Sequence, residues 1–466
     1  MTVNDSATSF QGASWHRVAL PAVVVCVIAL SPALSPARAQ TAAPVSLSLG
    51  DAARLAAKQN GTVVAARFRA DQADARVTQR RADLLPNVSA SALENGRTLN
   101  TATFGIDFPA PAGQPPIFDP AGQVEGPVNT LDTRAHFSQS LFDPGALARV
   151  RSARAAATAS DFDADAAAEL AASNAAVAYV RAARADAQLG ARVADSSLAE
   201  DLLRIARDQL TAGVGVALDV TRAQSQLANI RAQLIAARND RGRTRLDLLR
   251  QLGLPLDTRL TLNDSLSALP LGDVLPSEDQ AIAQALRGRA DLRSIEAQLD
   301  AIERQLGAVR LERLPSLSAF GDYGAIGKNG GNLLGTYNWG VQISLPIFDG
   351  FRREGRVEEQ AAMRSEIDVR RRDLREQASV EVRTALLDLA SAREAVAAAR
   401  ERVQLAEQEV AQASERFRAG VAGNADVFTA SLSLNGARTQ VVDALASYQA
   451  ARIALARSQG GARELQ

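Results

Sequence analysis

The stretch that decides the fold is VRTALLDLASAREAVAAARERVQLAEQEVAQASERF, residues 382–417. Its large apolar residues recur first at steps of four and three and then at steps of seven, and alanines fill the intermediate steps. This spacing predicts a long helix that packs as a coiled coil. The large positions are Val382, Leu386, Leu389, Val396, Val403, Val410 and Phe417.

The helical pattern extends from Arg352 to Phe417, and no proline or glycine interrupts it after Gly355. An earlier stretch, residues 145–210, is about as long and has Gly190 as its one internal breaker. At a rise of about 1.5 Å per residue, each helix would be about 100 Å long. Few globular domains have room for such a helix, so the pattern predicts a rod.

The N-terminus has the features of a secretory signal. Arg17 precedes an apolar run over residues 18–30, and Ala37-Arg38-Ala39 is a small-x-small cleavage site, so we predict a signal peptide at 1–39. Val25 before Cys26 is not the small residue that lipidation requires. The remaining sequence lacks an apolar run near 18 residues, so a membrane segment would have to be built from strands.

Composition argues against an enzyme or a nucleic-acid-binding protein. The formal net charge is zero, which gives no bulk attraction for nucleic acid. The sequence holds two distant histidines, His16 and His136, and one cysteine, Cys26. We take this scarcity to exclude metal clusters, Cys/His dyads and His-based triads, and we predict no catalytic residue, no cofactor and no metal.

The predicted elements come in the same order twice. The first set is helix 48–82, strand 87–93, a Pro- and Gly-rich loop 98–129, strand 131–141, helix 145–210 and helix 218–252. The second set is helix 277–311, strand 317–323, loop 324–335, strand 337–345, helix 352–417 and helix 425–458. The segment between them, 254–276, contains Pro270 and Pro276 and is predicted to be irregular.

Matching motifs show that one unit is written twice. Repeat one covers 48–253, a linker covers 254–276, and repeat two covers 277–460, all within one domain at 40–466. The short helices of a repeat, laid end to end, equal one long helix in length, so we expect them to stack along it. The matched pairs are Leu85-Pro86 with Leu314-Pro315, Phe142-Asp143 with Phe348-Asp349, Ala212-Gly213-Val214 with Ala419-Gly420-Val421, and Asp219-Val220 with Asp426-Val427.

The four strands alternate polar and apolar residues, and their apolar faces carry aromatic residues. Their lengths are near the ~9–11 residues with which a tilted strand crosses a bilayer. A small soluble sheet with one wet face alternates in the same way. Four strands cannot close a water-filled barrel, so we expect the chain to oligomerise. The aromatic residues are Phe137, Tyr323, Tyr337 and Trp339.

The duplicated Leu-Pro-x-(Val/Leu)-Ser motif, the (Leu/Ile)-Phe-Asp turns and the Ala-Gly-Val breaks, in this order over about residues 49–460, resemble the TolC family of outer-membrane efflux proteins. The resemblance implies a mainly α protein with membrane β structure. Three chains would form a homotrimer with a long α-helical coiled-coil barrel and a shared twelve-stranded β-barrel, four transmembrane strands coming from each. It implies contact with outer-membrane lipid in a Gram-negative bacterium, a long periplasmic extension, a periplasmic adaptor (membrane fusion) protein, an inner-membrane pump and no enzyme activity.

The resemblance also suggests roles for particular residues. Asp426, and more weakly Asp219, would form an acidic ring at the periplasmic aperture; alternatively, each carboxylate simply favours the first turn of its helix. Asp132, Arg134 and His136 are expected to face the barrel lumen, and Pro115 and Pro116 to lie in an outer loop. The tip expected to meet the adaptor is Gly213, Val214, Gly215, Gly420, Val421, Ala422 and Gly423.

The function that we predict is a passive exit duct for small molecules in a tripartite efflux system. An outer-membrane component of a type I protein secretion system would have the same fold, and the sequence does not separate the two. A periplasmic coiled-coil structural protein is an alternative of a different class. That alternative would not fractionate with the outer membrane and would form no channel.

Overall fold

The computed structural model describes residues 45–104, 113, 122–271, 276–328, 331–419, 421 and 423–465. The predicted signal peptide, Pro115, Pro116, Gly420 and Ala422 lie outside these residues. Two unbroken helices, α3 (Pro144–Thr211) with 68 residues and α7 (Arg352–Arg418) with 67, confirm the two predicted rods. Gly190 does not interrupt α3. Asp143 caps α3 by accepting a hydrogen bond from Ala146 N at 2.8 Å.

The remaining helices come in matching sets. Repeat one contains α1 (Leu49–Gln59), α2 (Gly61–Ala82) and α4 (Ala217–Leu252). Repeat two contains α5 (Glu278–Gly288), α6 (Ala290–Leu311) and α8 (Asn424–Ser458). As predicted, α2 packs on one half of α3 and α4 on the other, and α8 packs on α7. The expectation was wrong for α6, which contacts α7 but packs more extensively on α3 of the other repeat.

Each long helix forms a hairpin with the helix that follows it, and the seam between the two is apolar. Large and small side chains alternate there, as the seven-residue spacing predicts. The α3/α4 seam buries Ala199, Leu203, Ala206, Ala223, Leu227 and Ile230. The α7/α8 seam buries Ala406, Val410, Ala430, Leu434 and Ala437.

The predictions of single helices over 48–82 and 277–311 were wrong, because each of these helices is broken once. At Asn60 the backbone turns to ψ 135°, and the side chain stabilises the break. Its amide donates to the carbonyl of Gln251 at 2.7 Å and its Oδ1 accepts from Thr62 N at 2.9 Å. In repeat two the same turn falls at Arg289, where ψ is 126°. Helical periodicity continues across both breaks, so apolar spacing alone does not reveal them.

In the described part of the chain, six strands form two sheets. The small parallel sheet pairs β1 (Val45–Leu47) with β4 (Leu260–Leu262). The prediction that the linker 254–276 is irregular was wrong at β4, because the pairing with β1 orders it. The large sheet has the order β2-β3-β5-β6 and is antiparallel throughout. Its strands are β2 (Asn87–Asn100), β3 (Val124–Phe142), β5 (Ser316–Lys328) and β6 (Leu334–Ser344).

The large sheet reaches further into the predicted loops 98–129 and 324–335 than the sequence indicates. The β2/β3 pairing continues to Asn100 opposite Val124, and the β5/β6 pairing to Ile326 opposite Leu334. Pro127 lies inside β3, where we expected no regular element. It is tolerated because β5 joins β3 only from Thr130 onward, so that part of β3 is paired on one side only.

The largest core lies at the middle of α3, where α1, β1, β4, the end of α4 and the end of α8 converge. Tyr179 is fully buried at its centre. The Tyr179 hydroxyl donates to the carbonyl of Leu47 at 3.1 Å and accepts from Asp264 N at 3.1 Å. Burial raises the pKa of Tyr179 above its usual range. The core thus ties the small sheet to the helical rod.

Candidate functional site

The large sheet has one apolar face and one polar face, as the alternation predicts. A row across all four strands of the apolar face places Val88 opposite Phe137, Phe137 opposite Gly321, and Gly321 opposite Trp339. Seven large side chains of this face are exposed in the single chain, from 42% for Phe137 to 76% for Trp339. A contiguous exposed apolar face of this kind marks a surface that is covered in use. Val88, Phe137, Tyr323, Tyr337, Trp339, Val341 and Ile343 are its large members.

The polar face holds the three residues predicted to line a lumen. Asp132, Arg134 and His136 lie on this face of β3, and Arg134 Nε donates to Asp132 Oδ1 at 2.6 Å. His136 lies directly opposite Asp322 of β5, and its Nδ1 hydrogen-bonds to the Asp322 carboxylate. The partner Asp322 was not singled out in the sequence. The signal for it was the shared face of β5, where Asp322 alternates with Tyr323.

A serine completes a chain of hydrogen bonds on this face. Ser91 Oγ lies 2.9 Å from His136 Nε2, so Ser91, His136 and Asp322 are linked in the order found in serine hydrolases. The prediction that the histidine count excludes such a triad was wrong, because one histidine is sufficient to build it. In the described part of the chain, no group of three or more His, Cys, Asp or Glu side chains could hold a metal ion.

The opposite end of the molecule consists of the two helical turns predicted as the tip. Gly213 has a φ of +77°, a conformation that favours glycine, and a Cβ on Gly215 would lie 2.9 Å from Leu210 N. Gly423 of the second turn has a φ of −76°, a conformation that other residues adopt as readily. Val214 is 80% exposed and Val421 74%, so both present a bare apolar side chain.

Asp219 and Asp426 are each the third residue of a helix, α4 and α8 respectively, just beyond the tip turns. Asp426 is exposed, and its Oδ2 lies 4.0 Å from Arg416 Nη1. The Asp219 carbonyl accepts a hydrogen bond from Asn424 Nδ2 at 3.2 Å. The tips of the two hairpins therefore touch, and Gln209 Nε2 adds a second link to the carbonyl of Phe417 at 3.0 Å.

Above the tip, the two hairpins meet along a seam between α3 and α8. We call this contact the polar seam and define it by Arg192 and Asp195 of α3 with Asn435, Arg438 and Thr439 of α8. Asp195 is buried, and its carboxylate lies 3.3 Å from Arg192 Nη1 and 3.0 Å from Arg438 Nη1. Arg192 also donates to Thr439 Oγ1 at 3.0 Å and to Asn435 Oδ1.

The polar seam differs in kind from the seams inside the hairpins. The α3/α4 and α7/α8 contacts are apolar, whereas α3 and α8 meet here through charged and amide groups. Polar contacts depend on direction and distance and are lost over a small displacement, while apolar burial changes gradually with area. The two hairpins are also joined nearer the tip by an apolar cluster, in which Leu202 of α3 packs with Phe417 and Val427. The polar seam is therefore the directional part of the contact between the hairpins.

The same architecture occurs in proteins of known structure. The Campylobacter jejuni CmeC outer membrane channel has the same fold, with a TM-score of 0.71 over 89% of this chain and 86% of that one, at 21% identity. Two proteins of Pseudomonas putida, the probable efflux pump outer membrane protein TtgC and the antibiotic efflux pump outer membrane protein ArpC, are each 30% identical over 162 residues. That match spans 32% of this chain and 31% of each relative, about a third of their length.

The fold is therefore that of the outer membrane channels. Residues 52–254 and 281–461 match the outer membrane efflux protein family, and the chain belongs to it. The two matched ranges agree closely with the two repeats read from the sequence. Membership of this family confirms the resemblance that the duplicated motifs suggested.

Proposed function

We propose that this chain is one of three subunits of an outer-membrane exit duct, through which small molecules pass passively to the outside. In this proposal three copies join their large sheets into one twelve-stranded barrel, and their rods line a tunnel in the periplasm. The strands have 14, 19, 13 and 11 residues, enough to cross the ~30 Å hydrocarbon core.

One observation carries the proposal: the apolar face of the large sheet is exposed, while its other face is lined with polar and charged groups. Lipid would cover the first face and water the second. Joining copies edge to edge would also pair the outer edges of β2 and β6, which end the sheet order in the single chain. The Arg134–Asp132 and His136–Asp322 pairs would then face a water-filled lumen.

The duct would receive its cargo from an inner-membrane pump through a periplasmic adaptor that meets the tip. Support comes from the exposed Val214 and Val421, which give a partner an apolar anchor at the far end of the rod. The names of TtgC and ArpC both describe efflux pump proteins, and the name of ArpC specifies antibiotic efflux. By analogy, we infer small organic molecules as cargo here.

We infer that the Ser91–His136–Asp322 chain orders the lumen wall and does not catalyse acyl transfer. Backbone N–H groups of a regular strand lie in the plane of the sheet, whereas Ser91 Oγ projects from its face. No backbone donor of these strands could therefore stabilise an oxyanion formed at Ser91. A fluorophosphonate reagent should leave Ser91 unlabelled, as read by mass spectrometry of the intact protein; labelling that His136→Ala abolishes would contradict this.

Export would follow from a signal peptide at 1–39, which leaves residues 40–466 as the mature subunit without a lipid anchor. N-terminal sequencing of protein taken from the membrane tests this, with Gln40 expected first. A membrane protein whose first residue is Met1 would contradict the predicted cleavage.

The duct itself is tested by purifying the full protein from outer membranes in detergent, measuring its mass by light scattering, and recording current across a planar bilayer. We expect a trimer and a conductive pore. A protein that stays in the soluble periplasmic fraction and conducts no current would indicate a structural coiled-coil protein instead. If deletion of the gene abolishes export of a protein and does not increase sensitivity to drugs, the chain serves type I secretion instead.

A further inference from the structure

A basic groove runs along the seam between α2 and α3, at the end of the rod that adjoins the large sheet. We define the basic groove by its four arginines, Arg69, Arg76, Arg80 and Arg149, and it encloses a cavity of about 810 Å³. The amides of Gln72, Gln79 and Gln305, together with small side chains, complete the lining. Among the described residues that line it, none is acidic.

Helical spacing explains the shape of the groove. Arg69, Arg76 and Arg80 follow one face of α2 at intervals of seven and four residues, and Arg149 faces them from α3. At about 1.5 Å per residue, the three arginines of α2 extend over about 16 Å. The small side chains of Ala73 and Ala153 let the two helices pack closely and form the bottom of the groove between the arginines.

The four arginines differ in their partners. Arg149 is held by Asp143 at 3.4 Å and by Glu312 at 3.3 Å, and Arg80 lies 4.0 Å from Asp83. Arg69 and Arg76 have no ion-pair partner in the described part of the chain. Two exposed cations therefore remain available to a ligand beside two that are already fixed.

Four acidic residues of α2 and α3 lie close together and do not line the groove. Asp71 and Asp74 of α2 are each two residues from an arginine of the groove, about half a turn away, and they lie near Asp161 of α3, as does Asp165. Burial, with the three other carboxylates, raises the pKa of Asp161. The carboxylates nearest the groove, Asp83, Asp143 and Glu312, are paired with Arg80 and Arg149. Arg69 and Arg76 therefore supply the positive charge that the groove offers to a ligand.

We propose that the basic groove binds an anion that carries phosphate groups. The guanidinium fork matches phosphate oxygens in pairs, and the glutamine amides can donate to the remaining oxygens. The length of the groove suits two phosphate groups, or one phosphate with an apolar stem on the alanine floor. The groove belongs to a single chain, so this inference does not rest on the proposed function.

Two sources offer this chemistry. A free phosphate compound could enter from solution, and the phosphate of a lipid headgroup could enter from a bilayer, because Arg80 and Arg149 lie close in sequence to the ends of β2 and β3. Calorimetry on the full protein in neutral detergent, with pyrophosphate as probe, tests the first source. Flotation with vesicles of phosphatidylglycerol, against vesicles of phosphatidylcholine, tests the second.

We expect Arg69→Gln/Arg76→Gln to weaken binding of pyrophosphate or phosphatidylglycerol by about tenfold or more, because two charge-assisted contacts are lost. The control Arg238→Gln/Arg243→Gln removes two exposed arginines from α4 and should leave binding unchanged. Glutamine keeps a high helix propensity, so both variants should retain their helical ellipticity. Binding of either probe that the groove variant alone loses supports the proposal; no binding of either, or equal loss in the control, overturns it.

Discussion

Asn60 and Arg289 occupy equivalent positions in the two repeats, each at the break between two helices and each 25 residues before the leucine of the following Leu-Pro pair. The two side chains stabilise the same turn by different means. Asn60 uses neutral hydrogen bonds to Gln251 and Thr62. Arg289, only 8% exposed, uses ion pairs to Asp291 at 2.7 Å and to Glu381 of α7 at 2.5 Å.

Arg289→Ala should destabilise the protein strongly. Burial disfavours the charge of Arg289, but its hydrogen bonds to Asp291 and Glu381 outweigh this and raise its pKa. Removing the arginine leaves two carboxylates partly buried without their partner, which costs about 3–5 kcal/mol. Thermal unfolding of the purified protein measures the loss. Arg304→Ala, which breaks the exposed pair with Asp300, should cost less than about 1 kcal/mol and serves as control.

The start of α1 should show a pH-dependent contribution to stability. Ser48 and Asp51 form a capping box, and hydrogen bonds from Ser48 and then Arg54 lower the pKa of Asp51 to about 2. Because the folded pKa lies below the unfolded value of about 4, this contribution is present above pH 4 and is lost as pH falls toward 2. Asp51 is half-exposed, so solvent reduces its size.

Ser48→Ala should therefore lower the free energy of unfolding by about 1 kcal/mol at pH 7 and by less at pH 2. Melting temperatures at the two pH values measure the difference. Ser46→Ala, at an exposed position of β1, is the matched control and should change neither. An equal loss at both pH values would show that Asp51 takes no part in the cap.

How much of this architecture the sequence predicts depends on the type of element. The coiled-coil spacing from Val382 to Phe417 predicts α7 to within one residue of its end, because one physical requirement, a continuous apolar stripe, acts along the whole helix. The alternation in β3 and β6 predicts both faces of the large sheet. It does not predict how far the strands run, because the pairing with β2 and β5 decides that.

Features that depend on contacts between distant residues were missed. The turn at Arg289 needs Glu381, ninety-two positions away, and the hydrogen bond of His136 needs Asp322 on another strand. The polar seam joins Asp195 to Arg438, although neither interrupts the pattern of its own helix. Local spacing carries no record of such pairs, so the tertiary structure is needed to find them.

The tip predicts a measurable effect on docking. Val214→Trp and Val421→Trp should weaken crosslinking to the adaptor several-fold, because a bulky side chain would block close approach at two small exposed positions. Trimer assembly should be unaffected. Ile235→Trp places the same side chain at an exposed position of α4 away from the tip and is the control. Crosslinking that is unchanged in both tip variants would place the docking surface elsewhere.

Asp426 is predicted to favour cations at the periplasmic end of the duct. Its carboxylate is 56% exposed, and the contact with Arg416 at 4.0 Å is long, so the negative charge remains effective in solvent. Asp426→Ala should reduce the cation-to-anion permeability ratio by about twofold or more in planar bilayers at low salt, where screening is weak. Asp240→Ala removes an exposed carboxylate from α4, away from the tip, and should leave the ratio unchanged.

The polar seam predicts where the duct would open. In the proposed duct, separation of the two hairpins of a chain would widen the periplasmic end, and the seam opposes that separation through Arg192, Asp195 and Arg438, beside the apolar cluster at Leu202. Arg192→Ala/Arg438→Ala should therefore raise the open probability by about tenfold, equivalent to only about 1.4 kcal/mol. One hydrogen bond to a charged group contributes about 1.5–3 kcal/mol, which is more than this change in open probability requires. Single-channel recording measures the open probability.

The matched control for the seam variant is Arg231→Ala. Arg231 pairs with Glu200 at 3.2 Å, but both residues belong to the α3/α4 hairpin, and the pair is exposed. Its loss removes an arginine ion pair without loosening one hairpin from the other. If both variants raise the open probability equally, the loss of positive charge alone explains the effect. If only the seam variant raises it, the two hairpins separate from each other, because the apolar seam inside each hairpin remains intact.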